Sequence, residues 1–366
     1  MQSDIAIDAF DALAARYHFR DDRNCQWRIA RAPVGNVRPD DFRWAETDIP
    51  EPEDGEVLLK TLYLGLAPVM RMYMQGTGAA GERVLSPGDV IHGRGVAQIV
   101  RSRHSDWQEG EIVQGQIGWQ GYKVSAMTAQ EKMFRCHGLD LDYALNCGVL
   151  AMTGLSAHAG FFRCGDPKPT DTIVVSGAAG GVGSMVIQMA KHVVGAKRVI
   201  GIAGGPEKCT TIKALGCDDA IDYKAGPIAP ALQAICPEGI DLYFDNVGGE
   251  TLATVLENLA FGARIVLCGS ISEYARSEPF GLTNYARLRR VEGRMTGFFV
   301  YNHLDQFEST MSEMADWIRS GRLTPVQDII EGFEAMPRAL ANLYFGKNVG
   351  VQCCRVRPDP EKDVLQ

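Results

Sequence analysis

The sequence predicts an α/β fold in which a doubly wound parallel sheet of the Rossmann type accompanies a mainly β, barrel-like domain. Residues 172–208 show the pattern of one complete βαβ unit around a glycine-rich loop. Residues 145–324 alternate apolar, strand-like runs with helical segments, as a parallel sheet requires. Residues 26–149 contain short strand-like runs separated by glycine and proline, which is typical of a β-rich domain.

Composition limits the classes of protein that the chain can belong to. It has 366 residues, of which 46% are hydrophobic and 22% charged, as expected for a globular protein with two domains. Its net charge of −8 argues against a nucleic-acid partner. The N-terminal residues do not resemble a signal peptide, and no apolar stretch reaches membrane-spanning length. The lack of such a stretch predicts no membrane partner. Because the ten cysteines have no regular spacing, we expect reduced thiols in a cytoplasmic protein.

The glycine loop at 177–183 is the strongest functional signal. It follows an apolar run at 172–175 and opens a helical stretch, and a second apolar run at 198–203 closes the unit. Gly180 would let the backbone approach a pyrophosphate, and Gly183 would let the helix pack closely. The N-terminus of the helix would then offer free N–H groups to the phosphate. This context predicts dinucleotide binding, although alanine replaces the first glycine of the usual motif.

The end of the second strand favours NADP(H) over NAD(H). Enzymes that use NAD place Asp or Glu about 20 residues after the glycines, to bond the ribose hydroxyls. Here the tip carries Gly204 and Gly205, and the nearest carboxylate, Glu207, lies beyond a proline. Lys208 follows at once, and small residues beside a cation suit a 2′-phosphate. The alternative interpretation makes Lys208 an ordinary solvated helix residue.

Four polar or aromatic residues follow predicted strands of the parallel sheet. In such sheets the ligand lies beyond the carboxyl ends of the strands. Asn246, Ser270, Tyr274 and Phe299 all fall at or near such ends. Position alone therefore makes them functional candidates.

Cysteine and histidine spacing predicts no metal site. A structural zinc site would need cysteines at C-x₂₋₄-C spacing, and a catalytic one three convergent ligands. The one tight pair, Cys353 and Cys354, is adjacent and would point to opposite faces of a strand. Without a Lewis acid to activate an alcohol, reduction driven by NADPH gains weight.

Two segments leave alternatives open. Residues 4–20 suit a helix with Phe10, Leu13 and Tyr17 on one face, either docked on the domain that follows or used as a subunit contact. Residues 63–74 contain three methionines and two tyrosines. That segment is either core or an adaptable wall of an apolar pocket.

Besides the glycine loop, the chain contains six longer motifs that together resemble one protein family. They occupy residues 26–35, 115–120, 148–157, 243–250, 268–274 and 331–337. With them the chain, from about residue 26 to its end, resembles the zinc-free medium-chain dehydrogenases/reductases. Within these it resembles the branch of prostaglandin reductase, curcumin reductase and alkenal double-bond reductase.

The resemblance implies a domain arrangement. Residues 25–149 and 327–366 would form the GroES-like catalytic domain, and residues 150–326 the dinucleotide-binding Rossmann domain. Residues 1–24 would be an N-terminal extension with a helical pattern. The family also implies a homodimer.

Combined with the glycine loop, the resemblance assigns residues to the site. Lys208 and Tyr223 would hold the 2′-phosphate, and Tyr274 would be catalytic. The expected NADPH contacts are Ala179, Gly180, Gly181, Val182, Gly183, Lys208, Tyr223, Asn246, Cys268, Gly269, Ser270, Ile271, Ser272, Phe298, Phe299, Val300 and Asn348. The candidates for the substrate pocket are Tyr63, Val69, Met70 and His158.

Because of three departures from the family pattern, the identity of the substrate is harder to infer from the family than the identity of the cofactor. Residues 67–71 read Ala-Pro-Val-Met-Arg, where the family has Asp-Pro-Tyr-Met-Arg. His158 stands where relatives often carry tyrosine, so it is either a core histidine or a new polar group in the cleft. Residues 348–351 lack the lysine that usually follows the glycine.

The predicted activity is the NADPH-dependent reduction of the carbon–carbon double bond of an α,β-unsaturated ketone or aldehyde. Hydride would reach the β-carbon and a proton the α-carbon. One alternative is a zinc-free quinone or carbonyl reductase. A protein that binds NADPH without catalysis is an alternative of another class.

Overall fold

A computed structural model describes residues 2–76 and 82–360 of the chain. The strands are β1 Asn24–Ile29, β2 Phe42–Thr47, β3 Val57–Gly65, β4 Arg94–Ser102, β5 Ile112–Gln116, β6 Tyr122–Ser125, β7 Phe134–Arg135, β8 Thr172–Ser176, β9 Arg198–Ala203, β10 Asp219–Asp222, β11 Ile240–Asp245, β12 Leu259–Leu267, β13 Arg294–Gly297, β14 Gln327–Glu331 and β15 Val351–Arg355. The α-helices are α1 Gln2–Ala14, α2 Met70–Tyr73, α3 Met152–His158, α4 Gly181–Gln188, α5 Pro206–Ala214, α6 Ile228–Ile235, α7 Gly249–Val255, α8 Arg287–Arg290, α9 Phe307–Arg319 and α10 Met336–Tyr344.

The chain divides into two compact units. The first comprises Met1–Ala151 and Asp328–Gln366, and the second Met152–Gln327. Each unit has its own sheet and its own core. The α/β class predicted from the sequence is confirmed.

In the described part of the first unit, seven strands form the main sheet. Its order is β14-β15-β3-β4-β5-β7, and β6 also pairs with β3. Strand β3 lies in the middle of this order. Eight of its nine residues are buried, as expected for a strand covered on both faces. On β15, Cys353 and Cys354 contribute to different core clusters, so the adjacent thiols do lie on opposite faces.

Helix α1 docks on the first unit, which is the first of the two alternatives for this segment. Phe10 and Leu13 are buried, and Asp11 forms an ion pair with Arg338 of α10 at 2.8 Å. After the helix, the Tyr17 ring stacks on Trp44 with 5.1 Å between centroids. The segment is thus part of the core of this unit.

The second unit contains a parallel sheet of the order β10-β9-β8-β11-β12-β13. This is the order of a doubly wound dinucleotide-binding sheet, which reverses between β8 and β11. Ligands of such sheets bind beyond the carboxyl ends of the strands at that reversal. The sheet therefore places the ends of β8 and β11 at the position expected for a nucleotide.

Helix α4 starts directly from the glycine loop, three residues before the predicted helical stretch 184–194. It begins at Gly181 because Gly180, with an extended backbone, caps it. Residues Met189–Val194 continue it as a π-helical turn, which ends at Gly195 in the left-handed conformation (φ 72°). Glycine suits that position because it has no Cβ to clash.

All ten cysteines lie in the described ranges and carry free thiols. Six are buried and four are half-buried, so none is fully exposed. Burial raises the pKa of every one of these thiols above its ordinary value. They are therefore held as neutral thiols at physiological pH.

Across the part of the chain that the structure describes, every helix is too short or too polar to span a bilayer.

Candidate active site

The glycine loop forms a tight junction between β8 and α4. Gly177 has a φ of 56°, a conformation that favours glycine. A Cβ added to Gly183 would lie 2.4 Å from the Gly177 carbonyl oxygen and 2.8 Å from the Ala178 Cα. Helix α4 therefore rests directly on the loop, and the third glycine is a steric requirement.

Ala178 replaces the first glycine of the usual motif at no steric cost. Its side chain is fully buried and points towards β9. There Gly201 leaves the space open, since a Cβ on Gly201 would lie 2.9 Å from the Ala178 Cβ. The sequence departs from the motif at one position, and a glycine on the neighbouring strand accommodates the change.

The turn after β9 is built around two glycines and one carboxylate. Gly205 has a φ of 100°, caps α5 and donates its N–H to Asp222 Oδ1 at 2.8 Å. The Lys224 N–H donates to the same oxygen at 2.9 Å. These backbone hydrogen bonds lower the pKa of Asp222, so its carboxylate is ionised and holds the turn. Sequence reasoning missed Asp222 because it belongs to a different strand.

The Tyr223 ring covers the first glycine of that turn. A Cβ on Gly204 would lie 2.6 Å from the Tyr223 phenol oxygen. Tyr223 is still 50% exposed, so its outer face is accessible. Lys208 lies in the first turn of α5, which begins at the same glycines. A phenol and a cation thus flank a turn at which residue 204 has no room for a side chain.

Asn246 lies at the switch point between β8 and β11. Its side-chain amide donates to the Ser176 carbonyl oxygen at 2.8 Å, and its backbone N–H donates to Ser176 Oγ at 3.0 Å. A Cβ on Gly177 would lie 3.3 Å from the Asn246 Cβ. The structure therefore brings Asn246 against the start of the glycine loop.

The loop 268–274 packs on the turn that follows β11. The N–H groups of Cys268 and Gly269 donate to the Asp245 carbonyl oxygen at 2.9 and 3.1 Å. Ile271 donates to the Asn246 carbonyl oxygen at 3.4 Å. Ser272 donates to the Val247 carbonyl oxygen from its backbone N–H at 3.1 Å and from its hydroxyl at 2.7 Å. The predicted residues 268–272 and Asn246 therefore form one connected structure.

Tyr274 ends that loop with its phenol turned back on it. The phenol oxygen accepts the Ser270 N–H at 3.4 Å. Burial raises the pKa of Tyr274, so the group stays protonated at neutral pH. A neutral phenol at this position can donate a hydrogen bond to a substrate oxygen that becomes negative.

Residues 298–300 follow β13 at the edge of the same sheet. A Cβ on Gly160 would lie 2.7 Å from the Phe298 ring, so this ring packs tightly on the π-helical segment Ala159–Cys164. Phe299 is 37% exposed, and its ring meets Tyr301 edge-on at 5.1 Å between centroids. Val300 begins a 3₁₀ segment.

His158 joins helix α3 to helix α9. Its Nε2 lies 3.1 Å from Glu313 Oε2, and its ring centroid lies 5.9 Å from that of Trp317 and 4.8 Å from that of Phe162. Burial lowers the pKa of His158, although the bond to Glu313 acts in the opposite direction. The contacts seen for His158 are those of a histidine packed between helices, so its proposed role in the substrate pocket stays a prediction.

The candidates in the first unit have different environments. Tyr63 is fully buried, its phenol donates to Asp359 at 2.7 Å, and it accepts from Arg355 Nε at 3.0 Å. Tyr63 is thus part of the core around β3, which is covered on both faces, and its place in the substrate pocket stays a prediction. Met70 is also buried, whereas Val69 is partly exposed. Asn348 donates to the Gly350 carbonyl oxygen at 3.2 Å.

Within residues 2–76 and 82–360, no three His, Cys, Asp or Glu side chains are grouped so that they could hold a metal ion.

A Rossmann sheet with this glycine loop, joined to a β-rich unit, defines a class of dinucleotide-dependent oxidoreductases. A family model described as the N-terminal domain of oxidoreductase matches residues 25–133, and one described as zinc-binding dehydrogenase matches residues 181–320. The chain belongs to the medium-chain dehydrogenase/reductase family, in the branch of the prostaglandin, curcumin and alkenal reductases.

Individual relatives match over most of their length. The NADPH-dependent curcumin reductase of Escherichia coli (strain K12) is 36% identical over 346 residues, which span 92% of this chain and 98% of that protein. The NADP(+)-dependent 2-alkenal reductase of Nicotiana tabacum is 36% identical over 303 residues, or 82% of this chain and 87% of that protein. The crystal structure of CurA from Vibrio vulnificus in complex with NADPH is 36% identical, with a TM-score of 0.85, and the match covers 92% of this chain and 100% of that one.

Proposed function

We propose that this protein is an NADPH-dependent reductase that saturates the carbon–carbon double bond of α,β-unsaturated ketones and aldehydes. The observation that carries the proposal is the position of the Tyr274 phenol, in a loop bonded to the switch point of the Rossmann sheet. The names of two relatives, a curcumin reductase and a 2-alkenal reductase, support the substrate class.

The residues present fit a dinucleotide phosphate. The absence of a Cβ at Gly183 lets α4 begin directly on the loop, so the N–H groups of its first turn are available to a pyrophosphate. Residues 179–183 and Asn246 would hold the pyrophosphate and the central part of the cofactor. Lys208 and the exposed face of Tyr223 would hold the 2′-phosphate. When bound, NADPH supplies the hydride for the β-carbon.

Residues of the chain would then stabilise the negative charge that develops on the substrate. As the β-carbon gains hydride, negative charge develops on the carbonyl oxygen, and the enolate must gain a proton at the α-carbon. Tyr274 would donate a hydrogen bond to that oxygen, or relay a proton to the substrate. One hydride and one proton enter, and the product is the saturated ketone or aldehyde.

A panel of substrates with product analysis tests the proposal. NADPH oxidation would be measured with a small enone, an enal, a simple ketone and a quinone, and each product identified by mass spectrometry or NMR. We expect a saturated carbonyl product from the enone and the enal. An allylic alcohol or a hydroquinone as the main product would instead support a carbonyl or quinone reductase. No oxidation with any member would support a protein that binds NADPH without catalysis.

The homodimer that the resemblance implies stays a proposal. Sedimentation equilibrium is expected to give twice the chain mass of 40.0 kDa. The cytoplasmic location likewise stays a prediction.

A further inference from the structure

Asp245, the last residue of β11, is a buried carboxylate with four donor groups. It is 1% exposed. Its Oδ1 accepts from the Ser176 hydroxyl at 2.8 Å, the Tyr243 phenol at 2.7 Å and the Val247 N–H at 3.0 Å. The Gly248 N–H lies 3.1 Å from Oδ1 and 3.2 Å from Oδ2. A buried carboxylate is costly unless it is satisfied in this way, so these four donors are what allow an acid at this position.

One of the donors, the Ser176 hydroxyl, connects Asp245 to the nucleotide side of the switch point. Ser176 closes β8 immediately before the glycine loop. Its hydroxyl donates to Asp245 and accepts the Asn246 N–H at 3.0 Å. The Tyr243 phenol, in contrast, comes from β11 itself, two residues before Asp245 on the same face of the strand. The serine therefore joins two strands, whereas the tyrosine adds a bond within one strand.

The other two donors connect Asp245 to the loop that carries Tyr274. Val247 and Gly248 form a turn after β11, and the N–H groups of both residues donate to the Asp245 carboxylate. The Val247 carbonyl oxygen accepts both bonds from Ser272, and the Asp245 carbonyl oxygen accepts the N–H groups of Cys268 and Gly269. Ser176, Asn246 and the 268–274 loop are thus bonded to Asp245 or to a residue that it holds, and the glycine loop follows Ser176 directly in the chain.

We infer that Asp245 is a positioning residue that fixes the glycine loop, Asn246 and the Tyr274 loop relative to one another. It acts through Ser176 on the cofactor side and through Val247 on the Tyr274 side, and contact with substrate is not required. The inference rests on the proposed function. It assigns to a single buried acid both the affinity for NADPH and the placement of the phenol.

A pair of matched substitutions separates positioning from mere stabilisation. Ser176→Ala and Tyr243→Phe each remove one hydroxyl donor from the same carboxylate oxygen. If Asp245 only stabilises the core, both variants should show the same small loss of thermal midpoint and the same NADPH affinity. If it positions the site, only Ser176→Ala removes the hydroxyl that joins Asp245 and the Asn246 N–H to β8, while the bond from the Asn246 side-chain amide to the Ser176 carbonyl oxygen remains.

The measurements are the NADPH dissociation constant, by fluorescence titration, and kcat with a small enone at saturating NADPH. For Ser176→Ala we expect a dissociation constant about tenfold higher, the size of one hydrogen bond to a charged group. For Tyr243→Phe we expect both values within about threefold of the parent, since the bond from Tyr243 to Asp245 joins two residues of the same strand and no loop. Equal changes in NADPH affinity for the two variants would overturn the inference.

Asp245→Asn tests the Tyr274 side. The amide keeps the shape but replaces one acceptor oxygen with a donor, so it opposes the N–H and O–H groups around it. In variant protein that circular dichroism shows to be folded, we expect NADPH affinity and kcat each to fall about tenfold or more. Folded Asp245→Asn with unchanged kcat would overturn the inference, and if this variant does not fold, the serine and tyrosine pair still decides it. NADPH binding by the parent protein is measured first, because its absence would refute the proposed function instead.

Discussion

At the scale of single residues, the site depends on where side chains are missing as much as on where they are present. Gly183, Gly201 and Gly204 each lie where an added Cβ would meet another atom within 3 Å. The first lets α4 rest on the loop, the second accommodates Ala178, and the third accommodates the Tyr223 ring. The need for Gly183 was predictable from the motif. The other two depend on contacts between strands, which spacing along the sequence does not reveal.

Lys208 provides the first test at this scale. If its ammonium group neutralises the 2′-phosphate, Lys208→Ala should raise the dissociation constant for NADPH about ten- to a hundredfold, the loss of one charge-assisted bond. Binding of NADH, which lacks that phosphate, should hardly change. Lys213→Ala, at the exposed far end of the same helix, is the matched control. Equal losses with both cofactors would contradict the assignment.

Tyr274 provides the second test. Loss of the phenol removes the group that we expect to bond the developing enolate oxygen, so Tyr274→Phe should lower kcat about 10²-fold. The dissociation constant for NADPH should stay close to that of the parent. Tyr285→Phe serves as the control, because Tyr285 is 65% exposed and its hydroxyl has no proposed role. Full turnover by Tyr274→Phe, together with loss of turnover in His158→Phe, would transfer the acid role to the histidine.

At the scale of elements, apolar runs predicted the parallel strands well. Strands β8, β9 and β11 begin and end within a residue of the apolar runs 172–175, 198–203 and 240–246 that predict them, because each is buried and flanked by turn residues. Strand β12 begins at Leu259, five residues before the apolar run 264–269 that predicts it. Its first part, with exposed Phe261 and with Gly262 at a φ of 73°, lacks the continuous apolar pattern of a buried strand.

The sequence predicted the elements of the site better than its connections. The positions of Asn246 and Tyr274 followed from the ends of strands, since ligands bind there in parallel sheets. Asp245 did not stand out, because an acid at the end of an apolar run is also compatible with an exposed turn. Its four donors come from two strands and a turn, and only the folded chain brings them together.

The contact between α3 and α9 predicts a pH dependence of stability. Since burial lowers the pKa of His158 in the folded protein, the unfolded chain binds the proton more readily. The free energy of unfolding is therefore greatest above the ordinary histidine pKa of about 6.5, and it decreases as the pH falls from there through the folded pKa. Glu313 faces the ring and Arg163 lies nearby, and their effects on the pKa are opposite.

His158→Phe isolates this contribution. Phenylalanine should keep the packing against Trp317 and Phe162 but cannot take up a proton. We expect the thermal midpoint of the variant to fall less than that of the parent between about pH 8 and pH 5. The change in thermal midpoint between these two pH values is compared for the variant and the parent. This comparison cancels any pH-independent loss of stability from the missing bond to Glu313. An unchanged pH dependence would show that other groups determine it.

At the scale of the whole molecule, the distribution of thiols has a consequence for the proposed chemistry. Compounds with a double bond conjugated to a carbonyl group alkylate cysteine, and the thiolate is the form that reacts. An enzyme that collects such compounds is exposed to inactivation by its own substrates. All ten cysteines of this chain are at least half-buried, and burial raises the pKa of each.

We therefore expect the protein to resist alkylation by reactive enals. Incubation with an excess of an enal, without NADPH, should give few covalent adducts on the intact chain by mass spectrometry, while glutathione in the same solution is consumed. Unfolding the protein in denaturant should make the cysteines reactive, which controls for the reagent. Rapid modification of the folded chain with loss of NADPH binding would contradict this expectation. If few adducts form, burial of the thiols in both units protects the enzyme from its own substrates.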